Sequence, residues 1–312
     1  MMIRYDRPVS RSAFLARRLG LLSLGMLVVA LLLHRFGPLK TPEFVLLVCI
    51  CAVPALMAVP LAAVALLRLW TIGALGGVAA VWALIYATVP LALPGYAIYL
   101  YQKMPQLTEV STDLADPPKW VSDPTSDQRF LPRLTPSASS AELQLKAYPG
   151  LNGRRYEGAI DRVYEAVQKV ADENRLTVTA TRGEAYVLPD LTLRPAEEPA
   201  AGQGPGGTED ALPETGPLPS ARPLPGELAA ERGRAMADGE PEGTARLQMT
   251  TRTLVLGLPF DAVVRLREEA EMTLVDIRVA ARYGSHDLGF SDEIAEGFLH
   301  ALDAALLGIA GN

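Results

Sequence analysis

The stretch Val275-Asp276-Ile277-Arg278-Val279-Ala280-Ala281-Arg282-Tyr283-Gly284-Ser285-His286-Asp287-Leu288-Gly289 decides how the second half of this chain is read. Its first part alternates. Thr273, Val275, Ile277 and Val279 point one way, while Leu274, Asp276, Arg278 and Ala280 point the other, which predicts a strand with one apolar and one polar face. The glycines at 284 and 289 then punctuate a loop that delivers a closing helix over Ser291–Ile309. Ser291 suits the cap, Asp292 and Glu293 suit the first turn, and Ile294, Phe298, Leu302, Ala305 and Ile309 line one side.

Upstream, two further strands are predicted over Leu247–Leu256 and Ala262–Arg267, the second meeting Thr273–Ala280 through the acidic turn Glu268-Glu269-Ala270-Glu271. Leu176–Thr181 also alternates, with Leu176, Val178 and Ala180 on one side, and Ala185–Leu188 extends the sheet signal. Arg154–Asn174 reads as an amphipathic helix through Ile160, Val163, Tyr164, Val167, Val170 and Ala171. Between these elements, residues 195–243 are Pro, Gly, Glu and Ala with almost no large apolar side chain, a composition that predicts a disordered insertion. The expected fold class is α+β: an antiparallel sheet of three or four strands with two helices on one face, over residues 154–309.

The first third is a different material. Residues 1–102 hold eight Lys/Arg and two Asp/Glu, and residues 103–312 hold 21 and 33, so a net of +6 faces a net of −12. Apolar runs predict three transmembrane helices at about 14–34, 44–67 and 72–100. A cleaved signal peptide is the rival for the first, which is short. Pro54 and Pro60 are expected to kink the second run, and Pro90 and Pro94 to bend the third or end it early. Six Lys/Arg against three at the span ends favour a cytoplasmic N-terminus, which puts the remainder outside, in the periplasm if this is a bacterial inner-membrane protein. No Asp, Glu, Lys or Arg falls within Leu19–Leu33, Phe44–Leu67 or Ile72–Leu100, which favours an anchor over a transporter. Residues 103–153 are a Pro-rich extended linker in which the lone Trp120 is expected to clamp onto the domain.

An acidic soluble part argues against nucleic acid as partner. The two cysteines, Cys49 and Cys51, sit at i, i+2 inside an apolar run and match no disulfide or zinc pattern. Nothing in the chain points to a cofactor or a metal, and no catalytic set is assigned. The candidate motif is Asp276, Arg278, Arg282, His286 and Asp287, with Arg252, Arg265 and Arg267 able to join the same polar face. That face is either solvated and laced with ion pairs or a surface for an anion or peptide. Ser285, His286 and Asp287 are adjacent in a loop, which is poor geometry for a Ser–His–acid triad. A structural role is expected there, with Asp287 accepting loop N–H groups and Arg282 bridging loop and sheet.

Two stretches resemble the bacterial domain of unknown function 1499 family. Glu109-Val110-Ser111-Thr112-Asp113 with Asp116-Pro117-Pro118-Lys119-Trp120 is similar to the family's opening motif. Asp276, Arg278, Arg282, Gly284, Asp287 and Gly289 match its closing motif, with departures at Val279 and Ala281, where Ser is usual, and at Phe290-Ser291. The resemblance spans about 105–308 less the insertion and implies a domain, with no assigned reaction. The expected function is that of a membrane-anchored envelope protein whose soluble domain binds a partner protein or small ligand. The alternative is a membrane-bound hydrolase-like enzyme using the His286/Asp287 loop.

Overall fold

The computed structural model describes residues 8–124, 130–187, 230, 241, 243–270 and 272–307. Three long helices come first: α1 (Arg11–Phe36), α2 (Thr41–Ile72) and α3 (Gly77–Lys103), each long and apolar enough to cross a membrane. Their mutual faces are built from small side chains. Ala13, Ala16, Gly20, Ser23, Leu27, Ala30 and His34 are the buried stripe of α1; α2 buries Phe44, Val48 and Cys51 in its first half and Ala55, Ala58, Ala62 and Ala65 in its second. The alternating spacing of three and four residues keeps one seam facing its neighbours, and small residues let backbones approach closely where no water drives association. A Cβ on Gly20 would stand 2.9 Å from the Ala83 carbonyl oxygen of α3. Ser23 Oγ donates to the Cys51 carbonyl at 2.5 Å.

The prolines neither end nor shorten these helices. α2 runs through Pro54 and Pro60, and α3 through Pro90 and Pro94 as far as Lys103. The third helix starts at Gly77 rather than Ile72, because Gly73 takes a left-handed φ of 64° and closes α2. Met104 follows α3 immediately.

Beyond the helices the described residues form a six-stranded antiparallel sheet, two strands more than expected at most. The strands are β1 (Glu109–Ser111), β2 (Arg154–Glu157), β3 (Thr177–Arg182), β4 (Thr244–Arg252), β5 (Pro259–Glu269) and β6 (Met272–Ala281). The order is β1-β6-β5-β4-β3, with β2 also on β6: β1 pairs with the Arg278–Ala280 end and β2 with the Met272–Val275 end. Three local expectations are revised. Arg154–Glu157 is strand, and the helix α5 begins only at Ile160 and ends at Glu173, its buried side being the six residues expected. Residues 138–147 are a helix, α4, inside what looked like a linker. Glu184–Tyr186 is a 3₁₀ turn rather than more sheet. A bulge between Val178 and Ala180 also sends those two side chains to different faces, Val178 opposite Met249 and Ala180 opposite Gln248.

The closing helix, α6, is Phe290–Leu307. Its buried stripe is Ala295, Phe298, Leu299 and Leu302, so Ala305 faces out. α5 and α6 share one core with the apolar face of the sheet, where Leu247, Met249, Val264, Leu266, Val275, Ile277 and Val279 are fully buried. Val279 and Ala281 lie in this core, so the two apolar departures in the closing motif fall on the helix-facing side of β6. The predicted insertion at 195–243, apart from residues 230, 241 and 243, lies outside the described residues, as do Leu188 and Ile309.

Candidate functional site

The polar face of the sheet is covered rather than solvated. In β6 the alternation carries Asp276 and Arg278 to the side opposite the helices, and the register sets Arg265 of β5 beside Asp276 and Arg246 of β4 beside Arg265. Two arginines and an acid in the middle of a sheet need partners, since an unpaired buried charge costs several kcal/mol or more. The segment from Glu109 to Ser122 supplies them by crossing the face as a strap. Arg265, only 1% exposed at its side chain, donates at 2.9 Å to each of Asp113, Asp116 and Asp276. Thr112 Oγ1 donates to Asp276 at 3.2 Å.

Further along, the sheet reads the strap's backbone. Arg246 donates to the Lys119 carbonyl at 3.0 Å. The Gln248 amide accepts from the N–H groups of Val121 and Ser122 and donates to the Ser122 carbonyl. Arg278 donates to Glu109 at 2.7 Å and to the Pro118 carbonyl at 3.2 Å, and its guanidinium lies 5.0 Å from the Trp120 ring centre. Arg133 stands on the same ring at 5.5 Å and pairs with Glu109 at 2.9 Å. Trp120 is thus the expected clamp. Burial works against the charge of Arg265, and its hydrogen bonds to the Asp276 and Asp116 carboxylates, with the attraction of their charges, nonetheless hold its guanidinium above the ordinary arginine range. Burial raises the Asp113 carboxyl, but the Asp116 N–H and Arg265 more than offset this and leave it below the usual range.

Arg282, His286 and Asp287 are elsewhere, at the end of the sheet nearest the long helices. Arg282 forms a two-pronged pair with Asp261 at the start of β5, bridging loop and sheet. The Asp287 carboxylate accepts the Gly289 N–H at 3.0 Å, and Gly284 and Gly289 take φ of 91° and 83°. The same loop seats on the chain emerging from α3. His286 Nε2 lies 3.3 Å from the Met104 carbonyl, its ring meets Tyr101 at 4.9 Å, and the Asp287 N–H donates to the Leu107 carbonyl at 2.8 Å. His286 Nδ1 accepts the Leu288 N–H at 2.8 Å, which makes the ring the Nε2–H tautomer and engages both nitrogens with backbone. The five motif residues therefore divide between two places. Arg252, at the outer end of β4, joins neither the Asp276 nor the Arg278 contacts.

Beside the strap lies an open groove of about 720 Å³ between α4, β2 and β6. Its floor is Asp276, Arg267 and Leu274, with Asp113 and Leu114 on the strap side and Tyr148, Arg154 and Arg155 opposite. Arg267 reaches Asp276 at 3.4 Å and Asp113 at 3.7 Å, while its Nε has no acceptor. Gly153 is forced: a Cβ there would stand 2.5 Å from Asp276 Oδ1. Neither Gly153 nor the strap acids carried a signal for this groove in the sequence, because a short strand was hidden inside an apparent helix. Among the described residues no group of three or more His, Cys, Asp or Glu is placed to hold a metal.

Residues 221–302 match the model of the family described as "Protein of unknown function (DUF1499)". The resemblance read from the closing motif thus holds, while the strap motif at 109–120 lies outside the matched segment. No curated protein and no solved structure matches the chain.

Replacing Asp276 by Ala strands Arg265 beside two more exposed acids, and should cost about 3–5 kcal/mol in chemical denaturation of the full chain. The paired change Arg265→Met with Asp276→Leu should recover part of that loss, and a cost below about 1 kcal/mol for the single change would show that the strap contact is not stabilising. Asp292, at the start of α6, is pushed up to about 6 by burial and by the nearby Glu296 and Asp287 carboxylates. A raised acid binds its proton more tightly when folded, so its stability contribution is present at low pH and is lost as pH rises through about 6. Asp292→Asn should melt above the parent at pH 7.5, with the gap closing toward about pH 4, and a gap independent of pH would refute this assignment.

Proposed function

We propose that this is a membrane-anchored envelope protein whose folded domain binds a ligand or partner segment bearing an anionic group in the groove beside the strap. The observation that carries the reading is Arg267. It lies on the groove floor with its two contacts at 3.4 and 3.7 Å and a buried Nε–H lacking an acceptor, although Asp276 and Asp113 are adjacent. An arginine so placed retains donor capacity for a carboxylate or phosphate, which a guanidinium grips with two parallel N–H groups. Leu114, Leu145, Leu151 and Leu274 supply apolar walls alongside it, the usual make-up of a binding cleft. The His286/Asp287 loop is a weaker place for hydrolysis, since both ring nitrogens of His286 already bond to backbone.

The domain sits against the C-terminal ends of α1 and α3, so Arg35, Lys40 and Lys103 lie on its side and Arg11, Arg17, Arg18 and Arg68 at the other ends. The excess of positive charge away from the domain supports a cytoplasmic N-terminus and a periplasmic domain in a bacterial inner membrane.

Arg267→Gln should lose a ligand that co-purifies with the parent, read by native mass spectrometry of detergent-solubilised protein, with a melting temperature within about 2 °C of the parent. Identical bound species in both would sink the groove reading. Alkaline phosphatase fused after Asn312 should be active in cells, and a fluorescent-protein fusion at the same point dark; the reverse pattern would put the domain in the cytoplasm.

A further inference from the structure

The turn between β4 and β5 has an unusual surface. Leu254 is 70% exposed and Val255 is 76% exposed, two large apolar side chains at the outermost point of a hairpin. Their presentation is built. The Thr253 N–H donates to the Leu258 carbonyl at 3.0 Å, the Gly257 N–H to the Thr253 carbonyl at 3.0 Å, and the Leu258 N–H to Thr253 Oγ1 at 2.9 Å. Gly257 takes a φ of 71°, which turns the chain back. A loop closed by three hydrogen bonds has fixed its tip outward.

Its location names the occupant. Arg35, in the last turn of α1, donates to the Thr253 carbonyl at 3.4 Å, and a Cβ on Gly257 would stand 3.2 Å from Arg35 Cδ. Thr41, the first residue of α2, lines a small cleft with Leu258, Pro259 and Phe260 of the same hairpin. The tip thus lies beside the end of α1 and the start of α2, and Phe36, the last residue of α1, is 82% exposed. Arg252 precedes the tip on its exposed side, and Arg35 supports it from behind, so two guanidiniums flank two apolar side chains. Cations flanking exposed apolar side chains beside a helix end are the pattern of an interfacial segment.

We propose that the β4–β5 tip is a lipid-contacting site: Leu254 and Val255 enter the headgroup–acyl boundary of the bilayer that α1–α3 span, with Arg252 and Arg35 at the phosphates. The proposal rests on reading the three helices as spans and is independent of what the groove holds. It makes the domain's orientation on the membrane a two-point attachment, through α3 on one side and this hairpin on the other.

The test uses the full chain in phosphatidylcholine–phosphatidylglycerol nanodiscs, with Cys49→Ala and Cys51→Ala as background. A nitroxide is placed singly at Val255→Cys, at Leu56→Cys in the middle of α2, and at Ala270→Cys in the β5–β6 turn at the opposite end of β5. Both hairpin positions are exposed, so the labels leave the core untouched. The label at 255 should be relaxed more by oxygen, which concentrates in lipid, than by a water-soluble nickel chelate, as at 56 and opposite to 270. Accessibility to the chelate at 255 equal to that at 270 would overturn the proposal. Protection at 255 from both reagents would mean that protein, a partner or a second copy, covers the tip, and would overturn it too. If position 56 itself were open to the chelate, the spans would be misread and the proposal would fall with them.

Discussion

A single arginine in the middle of the sheet sets the terms for the rest of the domain. Arg265 is enclosed, and its charge is held by Asp276 from the neighbouring strand and by Asp113 and Asp116 from the strap. A buried cation without partners is far more costly than an apolar side chain in the same place, so the sheet is complete only when the strap lies across it. The strap in turn begins a few residues after α3. The ion-pair network that closes the domain therefore also fixes the distance and direction in which the domain leaves the apolar helices.

The closing motif acquires its logic from that arrangement. Its first half, Asp276 and Arg278, meets the strap residues Thr112 and Glu109, while its second half, His286 and Asp287, meets Met104 and Leu107 at the strap's root. One continuous stretch of sequence therefore contacts the 104–118 segment at both ends. Residues that are adjacent in one dimension meet the two ends of that segment in three. What these contacts leave open is the groove at their side, where Arg267 shares the same acids at longer distance and Gly153 keeps the wall thin enough for Asp276 to reach the floor.

Docking of the domain onto its own helices has a further consequence for motion. The His286 loop and the Thr253–Leu258 hairpin touch different helices, so the domain is held at two separated points rather than swinging on one linker. The groove beside the strap belongs to the same doubly anchored domain.

Much of this was legible in the sequence because it depends on local periodicity. Three apolar runs, the alternation of β4 as far as Thr251 and of β5 and β6, the helical stripe from Ile160 to Ala171 and the turn glycines at 284 and 289 are short-range patterns, whereas Thr253–Leu256, expected to continue β4, form the turn. The apolar side of β6 follows the sequence alternation from Thr273 to Val279, all four residues being fully buried. What the sequence could not supply was the fate of the other face. Asp276, Arg278 and Arg265 show the same alternation whether water or protein covers them, and the covering segment lies some 150 residues away from Arg265, at Asp113 and Asp116. Likewise Arg154–Glu157 has a helical pattern next door and becomes strand because β6 offers an unfilled edge beyond β1. Pairing across such separations is decided by which partners can satisfy a buried charge or an open edge, and only the tertiary structure chooses them.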